Sequence, residues 1–294
     1  MNTQQPTGKG FRIFLILLYL VTALMIIYFF IDGFQYYTAP LQARAHHPQY
    51  QNLKPGGFRG HGLGILGTAM MILLLSYSLR KRTRIFGNWG TMNRWLNIHI
   101  YFGIMGPLFV VLHSTFKLNG LVSVSFWSMI LVALSGVLGR YLYVQIPRSV
   151  SGMEMTRDQA TRLTERLMAR LKTEFHLEEQ EVIELEQIMG VNFKNTSLMS
   201  MLFMFLFSDI FLFFKKKSVH SAIANRFHLP LRKIQQITKL TVEKAKMDRR
   251  IYFWNQIHRI FHYWHVFHKP FAIVMYLIML IHVGIAVWLG YTWL

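Results

Sequence analysis

Two apolar stretches of the chain each carry a pair of histidines fourteen residues apart, His99 with His113 and His268 with His282. On an α-helix fourteen residues rise about 21 Å and return to within about 40° of a whole number of turns. Each helix would therefore hold one imidazole toward either surface of a bilayer, both on one face. Side by side, two such helices make two stacked His/His sites, the axial-ligand set of two b-type haems. Two haems stacked across a bilayer form a route for electrons. In a chain with this many histidines, chance gives about half a pair at any one spacing, and the sequence holds three. The third, His47 with His61, is interrupted by Pro48, Pro55, Gly56 and Gly57 and cannot share a helix.

Residues around these four histidines fit the same chemistry. Gly103 and Gly106 lie between His99 and His113 on nearly one helical face, where missing side chains would let a flat macrocycle approach the backbone. The plainer reading of that pair is close contact between helices. The matching positions before His282 are Ala272 and Met275, with Met279 close by. His258, His262, His265 and His268 cluster ahead of the last apolar stretch, where Lys269-Pro270 can kink or start a helix. His265 is thus the alternative to His268 as a ligand, and the spacing shared with His99 and His113 favours His268. An HxxxH metal site at His258 and His262 has no carboxylate near in sequence. His61 opens another apolar stretch and reads first as an interfacial histidine with a hydrogen bond, second as a quinol-site or proton-relay group. The formal GxGxxG of residues 62–67 follows no strand and opens an apolar span, so close helix contact explains it better than a dinucleotide. Carboxylates on a haem rim need cations at the membrane surface. Arg82, Arg84, Arg94, Arg140 and Lys269 are candidates on one side and Lys117 on the other. Arg140 is the most interesting of them, within SGVLGRYLY at the end of an apolar span, although span-end arginines also reach the interface routinely.

The elements that must position these groups are membrane helices. The 294 residues are 53% hydrophobic and 15% aromatic with only 15% charged, which places the chain among membrane proteins. Five spans are expected, at about 11–31, 61–79, 96–116, 121–144 and 271–293, each near the roughly 20 residues that cross the hydrocarbon. The first is too long and too aromatic for a signal-peptide core and is expected to stay as a helix. Without a cysteine, the chain has no disulfide, thiolate zinc site, cysteine-ligated iron–sulfur cluster or CxxCH haem attachment. Any haem is therefore non-covalent. The net charge of +19 is concentrated in the loop after the second span and in the long segment before the last one. By the positive-inside bias this puts the N-terminus and the long segment in the cytoplasm and the C-terminus outside, in what reads as a bacterial cytoplasmic membrane. Charge so placed is topogenic and lipid-facing rather than a nucleic-acid footprint.

The expected organisation is one all-α bundle interrupted by an insert. Residues 1–145 carry four spans, 146–268 form a basic helical insert, and 269–294 return the last span to the bundle. Within the insert, Thr156 is placed to cap a helix on which Leu163, Leu167 and Leu171 recur. An acidic amphipathic stretch follows His176 and is ended by Gly190, and a basic amphipathic pattern runs from about Leu231 to His268. The apolar residues 198–214 include Asp209 and end in three lysines, which suits a helix lying along the interface better than a sixth span.

The two segments HIYFGIMGPLFVVLH and HKPFAIVMYLIMLIH resemble the cores of di-haem transmembrane cytochromes b, as in ferric-reductase-like and respiratory cytochrome b proteins. The resemblance covers the third and fifth spans strongly, the second and fourth loosely, and the insert not at all. It implies that His99, His113, His268 and His282 are axial ligands of two haems. Ferric reductases follow such a core with a flavin and nicotinamide domain, whereas this sequence stops at Leu294, directly after the last span. The function expected is therefore that of an electron-transfer subunit of an oxidoreductase complex. It would carry electrons between a quinone/quinol pool, or a cytoplasmic donor, and a partner such as a cytochrome c or iron–sulfur protein. The loop with His46, His47, Pro48 and Tyr50 offers a docking surface or quinol-site wall. The competing readings are a haem-free membrane scaffold or transporter, and a ferric-reductase-like enzyme core.

Overall fold

The computed structural model describes residues 8–83, 89–117, 119–147, 154–188, 214–225 and 230–291. All the regular elements among them are helices: α1 (Lys9–Asp32), α2 (Phe34–Thr38), a 3-10 turn (Arg44–His46), α3 (Tyr50–Leu53), α4 (Phe58–Arg82), α5 (Met92–Ser114), α6 (Leu121–Gln145), α7 (Arg157–Phe175), α8 (Glu179–Ile188), α9 (214–225), α10 (Leu231–Tyr252) and α11 (Trp254–Trp288). Five of them, α1, α4, α5, α6 and α11, are long and apolar enough to cross a membrane. On α1 only Thr22 is buried, while Leu17, Leu20, Val21 and Leu24 stand exposed. Apolar surface on that scale needs hydrocarbon around it. The chain is an all-α membrane protein.

The helices begin earlier than their hydropathy suggests. α4 starts at Phe58, α5 at Met92 and α11 at Trp254, because the polar first turns of a membrane helix still satisfy their own backbone. Pro270 does not start the last helix; it lies inside α11. A proline withholds only one N–H from the helical ladder, and the remaining hydrogen bonds carry the helix through it. The basic pattern from about Leu231 to His268 is divided at Phe253, which ends α10. With 35 residues, α11 is about 52 Å long against a hydrocarbon core of about 30 Å, so its first turns, ahead of 271, lie beyond the spanning segment.

The chain divides into two compact units, residues 1–143 with 260–294, and residues 144–259. In the first, α4 and α5 are an intimate antiparallel hairpin, and α1 lies against α5. Thr22 gives its hydroxyl hydrogen to Leu18 O (2.8 Å) and therefore accepts from the Tyr101 hydroxyl, 2.6 Å away. In the second, Thr156 caps α7 with a capping box shared with Gln159, and His176 closes α7 in the left-handed conformation. Leu167 and Leu171 of α7 meet Val182 and Leu185 of α8, Ile223 of α9 and Ile237 of α10 in a buried core. Gly190 and residues 198–213 lie outside the described residues.

A two-level histidine site

Glycines bring α4 against α5. A Cβ at Gly67 would lie 2.7 Å from Val110 and 3.1 Å from Gly106 O, and one at Gly64 would lie 2.6 Å from Nδ1 of His113. Gly64 and Gly67 of the formal GxGxxG thus serve helix contact. Gly103 and Gly106, expected to face a macrocycle, are turned toward α4. A Cβ there would meet Leu74 at 3.3 Å and Met70 at 3.2 Å respectively. Pro107 lies inside α5 and has no N–H to give to Gly103 O.

This approach lets two backbone carbonyls of α4 reach the α5 histidines. His113 Nδ1 is 2.8 Å from Gly60 O, and His99 Nδ1 is 3.1 Å from Leu74 O. A carbonyl only accepts, so Nδ1 carries the proton in both rings and Nε2 keeps its lone pair. That is the tautomer of a histidine that binds metal through Nε2.

α11 supplies the other two rings. The ring centres of His113 and His282 are 6.5 Å apart, with planes at 62°. His268 Nδ1 is 2.7 Å from Ser135 Oγ of α6. Ser135 already gives its hydrogen to Val132 O (2.9 Å), so it accepts from His268, whose Nε2 again keeps the lone pair. His268 interacts electrostatically with His99 and His265, and His113 with His282 and His61. The rings of His113 and His282 thus face each other at one level, and His99 and His268 are near enough to interact electrostatically at the other. Between the levels, Met71, Phe126, Met129 and Met275 form a buried apolar cluster with Met279 at its edge. Tyr276 donates to Met71 O at 2.6 Å and Ser125 to Met275 O at 3.1 Å, tying α11 to α4 and α6.

The competing histidines are placed differently. Seventeen residues on an unbroken helix leave His265 about 100° around from His282, whereas fourteen bring His268 within about 40°. His265 Nδ1 is 2.9 Å from Phe261 O of its own helix. His258 has both nitrogens engaged, Nδ1 at 2.8 Å from Trp254 O and Nε2 at 2.8 Å from Glu154 Oε1, a carboxylate remote in sequence. Among the described residues no group of three or more His, Asp or Glu side chains could hold a metal ion.

A facing pair of imidazoles such as His113 and His282 suits a square-planar metal macrocycle. With an iron–nitrogen bond near that of other imidazole–metal bonds, about 2 Å, and a further 1 Å or so from each nitrogen to its ring centre, two rings on opposite faces of one iron stand roughly 6 Å apart. The 6.5 Å between His113 and His282 fits that span.

Of the expected cations, Arg140 lies over the Tyr143 ring at 5.6 Å and Arg94 over Phe11 at 5.4 Å. Arg82, Lys117 and Lys269 are exposed, and Arg84 lies outside the described residues. Sequence reasoning passed over Arg44, which is buried and donates to Ala39 O, Tyr37 O and Thr115 O, pinning the loop that holds His46 and His47 to the end of α5. It also passed over Ser135 and Gly139, although both lie in SGVLGRYLY, four residues apart and so on one helical face. No family model matches the chain, and no curated protein or solved structure matches it.

Proposed function

We propose that this chain is a b-type cytochrome membrane subunit that holds two non-covalent haems, one between His113 and His282 and one between His99 and His268. It carries electrons across the membrane between a quinone/quinol pool and a partner redox protein such as a cytochrome c or an iron–sulfur protein. The observation that supports this best is the facing pair His113 and His282 at 6.5 Å, with the His113 proton committed to Gly60 O.

Haem bound at these positions supplies reversible one-electron chemistry at two depths. The chain's own residues do the rest. Gly60 O, Leu74 O and Ser135 Oγ hold the Nδ1 protons and fix the ring orientations of three ligands. The methionine and phenylalanine cluster keeps water from the space between the levels. Arg140 and Lys269 offer positive charge on the side of His268 and Lys117 on the side of His113, which in this proposal are the cytoplasmic and outer sides.

Purification in mild detergent followed by a visible spectrum and a pyridine haemochrome assay tests the proposal. Two haem b per chain are expected, with the sharp reduced bands of bis-histidine ligation and a redox partner in the same preparation. A colourless pure protein overturns the proposal and leaves a membrane scaffold or transporter. Rapid reduction of the isolated chain by NAD(P)H would favour a ferric-reductase-like core over a partner-dependent subunit.

A further inference from the structure

One turn before His268, α11 carries Trp264. Its indole occupies the space that any side chain at position 139 would need: a Cβ on Gly139 would lie 2.2 Å from Cε2, 2.3 Å from Cζ2 and 2.8 Å from Nε1. The indole is stacked on Phe261 at 5.2 Å, and its centre is 4.9 Å from that of His268. Its Nε1 is buried and has no hydrogen-bond partner among the described residues. A buried donor without an acceptor is costly. Three features therefore coincide beside one ligand: a glycine kept bare for an aromatic ring, a ring held against an imidazole, and an N–H awaiting an acceptor.

We propose that Trp264 is a haem-contacting residue. Its indole, seated on Gly139, forms one wall of the site at His268, and its N–H donates to a carboxylate of the haem bound there. This rests on the two-haem reading above. The acceptor-only groups of a haem b are its two propionates, and they lie on the rim of the macrocycle rather than at its iron. A donor four residues from the ligand on the same helical face lies toward that rim. Arg140 follows Gly139 directly, so the same turn of α6 also carries a guanidinium. A neutral donor close to the propionate makes the reduced, more negative state easier to reach.

The test is W264F in the purified, haem-loaded protein, read by redox titration and by resonance Raman of the propionate bending modes. Expected are two retained haems, a downward shift of one midpoint potential only, and a shift of one set of propionate modes. Unchanged potentials and unchanged modes overturn the inference while the wild-type colour leaves the two-haem reading standing; a colourless wild type removes both. If W264F instead loses one haem, W264Q restores an N–H without the indole. Recovery of that haem supports the donor role, and failure to recover assigns Trp264 to contact alone and overturns it.

Discussion

His99, His113 and His268 differ from His258 in how their ring nitrogens are engaged. Each of the first three gives Nδ1–H to an oxygen on another helix, Leu74 O and Gly60 O of α4 or Ser135 Oγ of α6, and keeps a lone pair on Nε2. His258 points Nδ1 at a carbonyl of its own helix and Nε2 at the Glu154 carboxylate, so both nitrogens donate. The same side chain keeps a lone pair on Nε2 in one region and has both nitrogens committed as donors in the other. What separates them is whether an acid can reach the second nitrogen. In the apolar bundle none is near among the described residues, and in the basic unit one is supplied from a segment remote in sequence.

The contrast breaks most visibly if a ligand is removed. His113→Ala or His282→Ala is expected to lower the haem content from two per chain to one, by pyridine haemochrome, and His99→Ala or His268→Ala to remove the other haem. His265→Ala should leave both in place. Loss of a haem in His265→Ala with retention in His268→Ala would transfer the ligand role to His265.

Gly64→Ala comes next, because its Cβ must enter the space of the His113 ring. Overfilling of this kind costs about 1–3 kcal/mol, read as a lower unfolding temperature. The variant should also lose haem from the His113 level before the other. Ser135→Ala sharpens the comparison without touching a ligand. His268 keeps Nε2 but loses the acceptor for its proton, and haem at that level should be held about tenfold more weakly. Equal retention at both levels in this variant would show that Ser135 does not orient the ligand.

The smallest effect belongs to His258. Burial works against its charge, yet the Glu154 carboxylate and the Trp254 carbonyl outweigh it and hold its pKa above the ordinary value. The stabilisation from this shift is full below about pH 6.5 and is lost as pH rises through the raised value. Both partners are more than one-third exposed, so solvent screening keeps the contribution below about 1 kcal/mol. Glu154→Gln should return His258 toward its ordinary titration, followed by NMR, and flatten the pH dependence of thermal unfolding on the alkaline side. Haem content should not change.

Spacing made the four histidines visible in the sequence because helical periodicity survives whatever surrounds it, and the five spans were legible because hydropathy integrates over a whole helix. The partners that fix the rings were not. Gly60 O and Leu74 O are backbone atoms, present at every position, and only the close approach allowed by Gly64 and Gly67 selects them. Ser135 and Gly139 sit in a stretch whose arginine drew attention, while their neighbours, His268 and Trp264, lie far along the chain on another helix. Pro270 can kink or start a helix by sequence alone, and only the structure shows α11 running through it. The expected spans lie inside longer helices because hydropathy marks where hydrocarbon begins, not where hydrogen bonding does.

The glycine contact between α4 and α5 also sets an order of assembly. These helices are neighbours in the chain, joined by a short loop, and need no later residue to close on each other. A chain emerging N-terminus first can therefore form this hairpin early. It would display two oriented imidazoles long before α11 is made. Each site is then a half-built socket during synthesis, and α11 is the piece that closes both. If the two-haem proposal holds, insertion of the cofactor would be the last event of folding, timed by the arrival of His268 and His282.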